Sequence, residues 1–250
     1  MMTTRYGVIS WNGLRSDNFG IRIAEYPSIQ KPQRKLDKYV VPGRNGDIIM
    51  MQDAWENVQQ RYDIVAGDGE KHSVSGGFGR VAEWLNGPTG YAELWDDFDP
   101  EHYRLAYFEG PFDAETLSIG RVGRATITFN CKPQRYLLIG RDAVEIDAAP
   151  ATIYNPTVYA SRPRVFVSRS AAGNGTVSIS GTVLTITDIP EYGLYIDCEE
   201  MDCRDVNGNN MNSHVASSSG EFPKLQPGEN AIGFTGAVAS ISITPRWFEI

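Results

Sequence analysis

The sequence is poor in cysteine and histidine, with three of each among 250 residues, and it contains no long apolar run. Three cysteines do not make a disulfide framework, which favours a reducing compartment. The first residues lack an apolar run of signal-peptide length, and no stretch approaches the roughly 20 apolar residues of a membrane span. We therefore expect a chain that is made and kept in a cytosol. Cys131 and Cys198 alternate with apolar neighbours, which is typical of small core residues.

Positive charge is also scarce. The chain has 23 Lys and Arg against 31 Asp and Glu, a net charge of −8 and a pI near 5.0. Sequence-independent nucleic-acid binding and docking on anionic membranes both need an excess of basic residues, so this balance argues against both. The 41% of hydrophobic residues and 22% of charged residues are close to globular averages. The length therefore allows one large domain or two of ordinary size.

Sequence motifs of catalysis are missing as well. The chain has no G-x-S-x-G elbow, no Walker loop and no G-x-G-x-x-G turn. His72, His102 and His214 are far apart, and none belongs to an H-E-x-x-H pattern. Cys198 and Cys203 are an odd number of residues apart, so on one strand they would face opposite ways. We predict no catalytic, cofactor-binding or metal-ligating residue and no cofactor.

Two polar clusters deserve comparison with functional sites. Carboxylates at Asp96, Asp97, Asp99 and Glu101 resemble the acid and base pair of a sugar hydrolase. A solvated loop between two strands, with turn-forming Asp and Pro, explains the same residues more simply. The run from 205 to 210, DVNGNN, resembles the start of a calcium loop, but it lacks the later Gly and Glu and any flanking helices. We interpret both clusters as turns.

Two-residue periodicity dominates the first half of the chain and predicts strands. They cover residues 6–11, 21–26, 34–41, 48–51, 58–66, 91–95, 103–108, 112–119 and 122–132. One segment differs, because Phe78, Val81, Ala82 and Leu85 share one face of a helix. Asn86-Gly87-Pro88 is a strong stop signal for it. We expect this short helix to cover one side of a sheet or barrel.

The second half shows only short strands with small turns, which predicts a sandwich without helices. The predicted strands are residues 164–168, 176–180, 183–188, 194–198, 230–235 and 238–244, with a Ser-rich loop at 214–220. Residues 133–156 have mixed character and no assigned strand. We place a domain boundary near residue 145, so the predicted domains are 1–145 and 146–250.

Two surface segments are open to more than one interpretation. Lys31, Arg34, Lys35 and Lys38 form a basic run, which is either a solvated edge strand or a contact for an acidic neighbouring subunit. The end of the chain, PRWFEI at 245–250, combines Arg with aromatic residues that often anchor interfaces. We favour a tail that packs on its own domain over a partner contact.

Short motifs along nearly the whole chain resemble the distal tail (Dit) proteins of siphophages. They are WNGLRSDNFG at 11–20, PSI at 27–29, VPGRNGD at 41–47, ASRP at 160–163, ISG at 179–181, LTI at 184–186, YID at 195–197, FPKLQPGEN at 222–230 and PRW at 245–247. No single motif is specific, but their order runs from one end of the sequence to the other. This shared order carries the resemblance.

The resemblance implies a mainly β chain, with an N-terminal split-barrel (belt) domain containing one short helix and a C-terminal galectin-like β-sandwich. It implies a non-enzymatic structural protein of the virion tail tip or baseplate, assembled in the host cytoplasm. Its partners would be copies of itself in a hexameric ring, the tail tube protein, and tail-associated or receptor-binding proteins. The genome would pass through the ring's channel without specific binding, and an acidic wall would repel it. We expect no membrane among the partners.

Two alternatives come from other classes of protein. A carbohydrate-binding module for host cell-wall glycans would use exposed aromatics such as Trp95, Tyr103 and Trp247 as a stacking platform. The galectin signature H-x-N-x-R is absent, since Val215, Ala216 and Ser217 follow His214. A glycoside hydrolase would use the carboxylates between Asp96 and Glu101.

Overall fold

A computed structural model describes residues 7–66, 74–118 and 122–250. The chain divides into two compact units, residues 1–135 with Ile250, and residues 136–249. Each unit contains its own cluster of buried apolar side chains. Among the described residues, no helix is long and apolar enough to span a bilayer.

The first unit is built from short antiparallel strands and one helix. In chain order these elements are β1 Ile9–Trp11, β2 Leu14–Arg15, β3 Ile21–Ile23, β4 Arg34–Tyr39, β5 Ile48–Trp55, β6 Val58–Ala66, α1 Val74–Leu85, β7 Ala92–Asp96, β8 His102–Phe108, β9 Ala114–Ser118 and β10 Val122–Leu137. The predicted bounds of β6 are confirmed. Strand β10 runs five residues past its predicted end at 132, and β2 was missed because two residues are too few to show a period.

One curled sheet organises this unit, in the order β2-β1-β7-β8-β10-β6-β3, with β9 also paired to β10. An isolated bridge joins Gly7, just before β1, to Ile23 at the other end of that order. Alternate residues of β10, including Ile127 and Phe129, are fully buried. The inner face of a curled sheet closed in this way forms the core of a barrel, so the expected split barrel is confirmed.

Helix α1 packs on the barrel with the face that the sequence predicts. Phe78, Val81 and Leu85 are buried in the same cluster as the inner residues of the sheet. Trp84, which the predicted face omitted, is buried too. Its indole donates to the carbonyl of Trp11, and the Trp11 indole donates to the carbonyl of Leu85, both at 3.3 Å. These reciprocal bonds satisfy two buried N–H groups and fix the end of the helix against β1.

The second unit is a β-sandwich. Its strands are β11 Val144–Ile146, β12 Ala151–Asn155, β13 Arg164–Arg169, β14 Gly175–Ile179, β15 Thr182–Ile186, β16 Leu194–Asp197, β17 Asp202–Asp205, β18 Val215–Ser217, β19 Gly228–Gly236 and β20 Val238–Thr244. The short strand β21 Phe248–Glu249 pairs with β10 and belongs to neither sheet of the sandwich. One sheet has the order β11-β20-β13-β16-β17 and the other β12-β19-β14-β15-β18. Their inner faces share one apolar core, which confirms the expected sandwich.

Several short strands of this unit escaped the sequence analysis. Strands β11 and β12 lie in the segment 133–156 that seemed to have mixed character, and β18 occupies part of the predicted Ser-rich loop. Strand β18 is three residues long and pairs with β15 only at one edge of its sheet. A strand this short is held by its hydrogen bonds to the neighbouring strand. Its own residues are too few to show the alternation of apolar and polar residues that predicts a strand.

The cysteines are buried. Cys198 follows β16 and Cys203 lies on β17, so a turn separates them and both reach the core instead of facing opposite ways. Cys131 is fully buried on β10. Burial raises the pKa of each of these thiols to about 12. All three are free, and the core positions of Cys131 and Cys198 are those that their alternation with apolar neighbours predicts.

An ion pair ties the end of the chain to the sandwich. Arg246 donates from its two terminal nitrogens to the two carboxylate oxygens of Asp197, at 2.8 and 2.7 Å. Burial alone raises the pKa of Asp197, but hydrogen bonds and charge from Arg246, aided by the amides of Glu199 and Glu200, outweigh it. The pKa of Asp197 is therefore lower than usual, so its ionised form stabilises the fold above pH 4.

Replacing Arg246 by Met should lower the free energy of unfolding by about 2 kcal/mol at pH 7, because two charge-assisted hydrogen bonds are lost. A carboxyl with a depressed pKa contributes stability above its unfolded pKa and loses it as the pH falls. The difference between variant and parent should therefore shrink below about pH 4. Urea unfolding followed by circular dichroism at several pH values measures both effects.

The matched control is Arg15→Met, which breaks an exposed pair with Asp17 at 3.0 Å. Solvent screens that pair, so the unfolding midpoint should not change. Equal destabilisation by the two substitutions, or a difference that persists unchanged at pH 3, would contradict the role assigned to Arg246.

The cysteines give a second prediction. In the folded protein at pH 8, a disulfide reagent such as dithiobis(nitrobenzoate) should react at least about 100-fold more slowly than it does with a small-molecule thiol in solution. The reason is that little of each cysteine is ionised to the thiolate and that the reagent cannot reach the buried sulfur. In denaturant all three thiols of the chain should react. Rapid modification of even one thiol per folded chain would refute this description of the core.

Candidate assembly surface

The acidic cluster after β7 holds a loop together. Asp96 accepts hydrogen bonds from the amides of Phe98 and Asp99, at 3.0 and 2.9 Å, and from the hydroxyl of Tyr62. Burial, with the charge of Asp96, raises the pKa of Tyr62 well above its usual value, so Tyr62 remains a hydrogen-bond donor. Asp97 accepts from the amide of Val8 at 3.0 Å. These contacts support the interpretation of the cluster as a loop.

Asp99 continues this network. Its carboxylate lies 2.7 Å from Nδ1 of His102 and accepts from Arg135 at 2.8 Å. Burial raises the pKa of Asp99, but the hydrogen bond with His102 and the charge of Arg135 outweigh it, and the pKa is lower than usual. The carboxyl is thus an ionised structural anchor and does not have the raised pKa of a general acid. Glu101 is exposed at the loop's edge.

The run at 205–210 also closes on itself. One oxygen of Asp205 accepts the amides of Asn207 and Asn209, and the other accepts the side-chain amide of Asn209 at 2.8 Å. This Asx-type turn is what the sequence indicated. In the described ranges no three His, Cys, Asp or Glu side chains converge as metal ligands. His72 lies outside the described residues.

The aromatic platform proposed from the sequence is not present. Tyr103 and Trp247 are only 8% and 9% exposed, because each packs inward. The indole of Trp95 donates to the carbonyl of Pro100 at 3.2 Å and so serves its own loop. Side chains that are buried in a core offer no ring face to a sugar, so these three residues do not form a stacking site.

The tail of the chain docks on its own unit. Besides the Arg246 ion pair, the ring of Phe248 stacks on Tyr159 with centroids 5.5 Å apart, and Trp247 is buried in the sandwich core. The interpretation of the tail as a docked segment is confirmed.

A two-stranded hairpin, β4 with β5, is the element that lacks cover. It pairs Leu36 with Met51, Lys38 with Ile49, and Tyr39 with Ile48, and it is joined to no other described strand. Residues 40–47 form its tip, where Gly43 and Gly46 adopt positive φ angles. Both long edges of the hairpin therefore present main-chain groups that no third strand satisfies.

Apolar side chains cover both faces of this hairpin near its tip. The exposed fractions are 53% for Tyr39, 79% for Val40, 55% for Ile49, 58% for Met50 and 67% for Met51. Consecutive strand residues point to opposite faces, so Ile49 and Met51 share one face while Met50 lies on the other. Contiguous exposed apolar surface of this kind marks an interaction site. We call residues 34–55 the apolar hairpin.

The basic run lies at the start of this hairpin. The guanidinium of Arg34 sits 5.0 Å above the ring of Trp55, and Lys31 donates to the terminal carbonyl of Ile250 at 3.2 Å. Lys35 and Lys38 are both exposed on β4. The run thus belongs to the exposed hairpin, which is compatible with both interpretations of it.

Sequence comparison identifies no relative: no protein-family profile matches the chain, and no curated protein matches its sequence.

Solved structures do match it. The Dit protein (gp19.1) of phage SPP1, described as a paradigm of the hub adsorption apparatus in phages that infect Gram-positive bacteria, is 13% identical with a TM-score of 0.72. That match covers 98% of this chain and 100% of the SPP1 chain. Chains of the phage p2 baseplate in its activated conformation, with strontium and with calcium, are 10% identical, with TM-scores of 0.56 and 0.57. Each covers 95% of this chain and 97% of the p2 chain. The chain therefore shares the fold of the SPP1 Dit protein over 98% of its length.

Proposed function

We propose that the chain is a structural subunit of a phage tail tip, where it forms a ring-shaped hub between the tail tube and the tail-associated or receptor-binding proteins. The observation that carries the proposal is the match to the SPP1 Dit hub protein over 98% of this chain and all of that one. Both the barrel with its helix and the sandwich are included in that match. A role in assembly needs no catalytic residue.

The apolar hairpin supports assembly with further copies of the chain. A barrel unit with two free strand edges and exposed Tyr39, Ile49, Met50 and Met51 gains hydrogen bonds and buried apolar area when a neighbour covers it. In a closed ring every copy uses the same two surfaces, so no hairpin is left uncovered. We propose that the hairpin contacts the adjacent subunit of a hexameric ring.

The net charge of −8 agrees with a channel for nucleic acid. An acidic wall repels the phosphate backbone and so does not retain DNA in transit. The proposed location is the virion tail tip, after assembly in the host cytoplasm.

The double substitution Ile49→Lys with Met51→Lys tests the ring. The parent protein should form a species of about six times the 27.7 kDa chain mass, visible as rings by negative-stain microscopy. Two charges on one hairpin face should weaken association at least about tenfold, because burying them unpaired is costly. The thermal unfolding midpoint of the monomer should not change. Light scattering after gel filtration measures the mass.

The matched control is Tyr154→Lys with Val158→Lys, which charges two apolar residues of the sandwich that are 63% and 80% exposed. This variant should assemble like the parent. A parent that stays monomeric at high concentration, or a control that dissociates as readily as the hairpin variant, would count against the proposal.

A further inference from the structure

A groove crosses the outer face of the sheet β11-β20-β13-β16-β17, and neither the core nor the hairpin uses it. One cavity of about 350 Å³ lies over Glu145, Arg164, Phe166, Tyr195, Ser242 and Thr244. This volume is at the lower end of the range for small-ligand pockets. A second cavity of about 460 Å³ shares Arg164 and Tyr195 with the first and continues toward β17.

Strand register aligns these side chains in two rows. Glu145 lies opposite Ser242, Ser242 opposite Phe166, Phe166 opposite Tyr195, and Tyr195 opposite Arg204. In the neighbouring row, Thr244, Arg164, Asp197 and Asp202 follow one another in the same way. Directly opposed residues share a face of the sheet, so each row forms a continuous line of side chains across the strands.

The floor of the groove is aromatic and held in place. The rings of Phe166 and Tyr195 have centroids 4.7 Å apart, and both side chains are half-buried. Gly193, at φ 85°, makes room for the Phe166 ring, because a Cβ there would lie 2.8 Å from its Cζ and 2.4 Å from the carbonyl oxygen of Val167. The ring therefore packs directly on the backbone of the adjacent chain segment, which limits its movement.

Polar groups surround this floor. The hydroxyl of Ser242 donates to Glu145 and orients that carboxylate. The guanidinium of Arg164 lies 4.5 Å from the centre of the Tyr195 ring and makes no ion pair with any residue in the described ranges. Its N–H groups thus remain available as donors, while Glu145 and the hydroxyls of Ser242 and Thr244 supply acceptors.

The chemistry of the groove selects its ligand. Strands β20, β13 and β16 are interior strands, so their main-chain groups are occupied by ladders and a peptide cannot add to them. One carboxylate, Glu145, balances one guanidinium, Arg164, in the smaller cavity. In the larger cavity, four carboxylates outnumber three guanidiniums. This charge pattern disfavours phosphates and acidic sugars.

We propose that this groove is a binding site for neutral saccharides. The C–H face of a sugar ring would pack on Phe166 and Tyr195, and its hydroxyls would bond to Arg164, Glu145 and Ser242. The two joined cavities give room for more than one sugar unit. The proposal is independent of ring formation, because every residue in it belongs to the sandwich and none to the apolar hairpin.

The test uses the full chain on an array of neutral hexose and N-acetylhexosamine oligosaccharides, with carboxylated and phosphorylated sugars alongside. The parent should bind at least one neutral oligosaccharide, and calorimetry with that sugar then gives its Kd. Phe166→Ala should raise the Kd at least tenfold. Arg164→Ala should also raise the Kd at least tenfold. Arg164 is exposed and lies outside the apolar core, so this variant keeps the test valid if the Phe166 variant folds poorly.

Tyr154→Ala is the control, because it removes an exposed aromatic from the other sheet. This variant should bind like the parent. The proposal is overturned if no neutral oligosaccharide binds, if binding is confined to acidic sugars, or if Arg164→Ala binds as well as the parent. Ring formation measured by light scattering on the same samples separates a failure here from a failure of the hub proposal.

Discussion

Antiparallel strand pairing is the constraint on which the rest of this structure depends. A ladder satisfies the main-chain groups of each strand and sends alternate side chains to opposite faces. In the barrel unit this places Ile127 and Phe129 of β10 inside, and in the sandwich it places Val165 and Val167 of β13 inside. Every outward residue then lies in a row set by its cross-strand partners, and those rows determine which surfaces are available for function.

Ionised side chains serve mainly to hold the connections between strands. Asp96 and Asp99 organise the loop after β7, Asp205 closes the turn after β17, and Asp197 anchors Arg246. Each of these carboxylates is already engaged by donors from its own unit. A cluster that resembles a hydrolase pair in sequence is thus explained by loop architecture, where a carboxylate accepts amides that no strand can satisfy.

The two proposals use different consequences of the same pairing rule. The apolar hairpin has free edges and two exposed faces, so it is suited to contact another copy of the chain. The groove lies on the middle of a sheet with no free main-chain groups, so only its side chains can recognise a ligand. A hub subunit with both features would assemble through its barrel and present a sugar-binding face on its sandwich.

The sequence by itself determined the class of fold and many of its elements. Alternation located Val58–Ala66 and Val238–Thr244 with their observed bounds, and a period near 3.6 identified the buried face of α1. Local periodicity suffices there because burial repeats along one continuous segment.

Only the tertiary structure decided which apolar segments lack cover. Residues 48–51 are consecutive apolar residues that suit a buried strand, yet they are exposed because no third strand joins the hairpin. Tyr103 and Trp247 are buried, while Phe166 and Tyr195 line a groove, because register pairs strands that are distant in the chain and no local pattern records the partner.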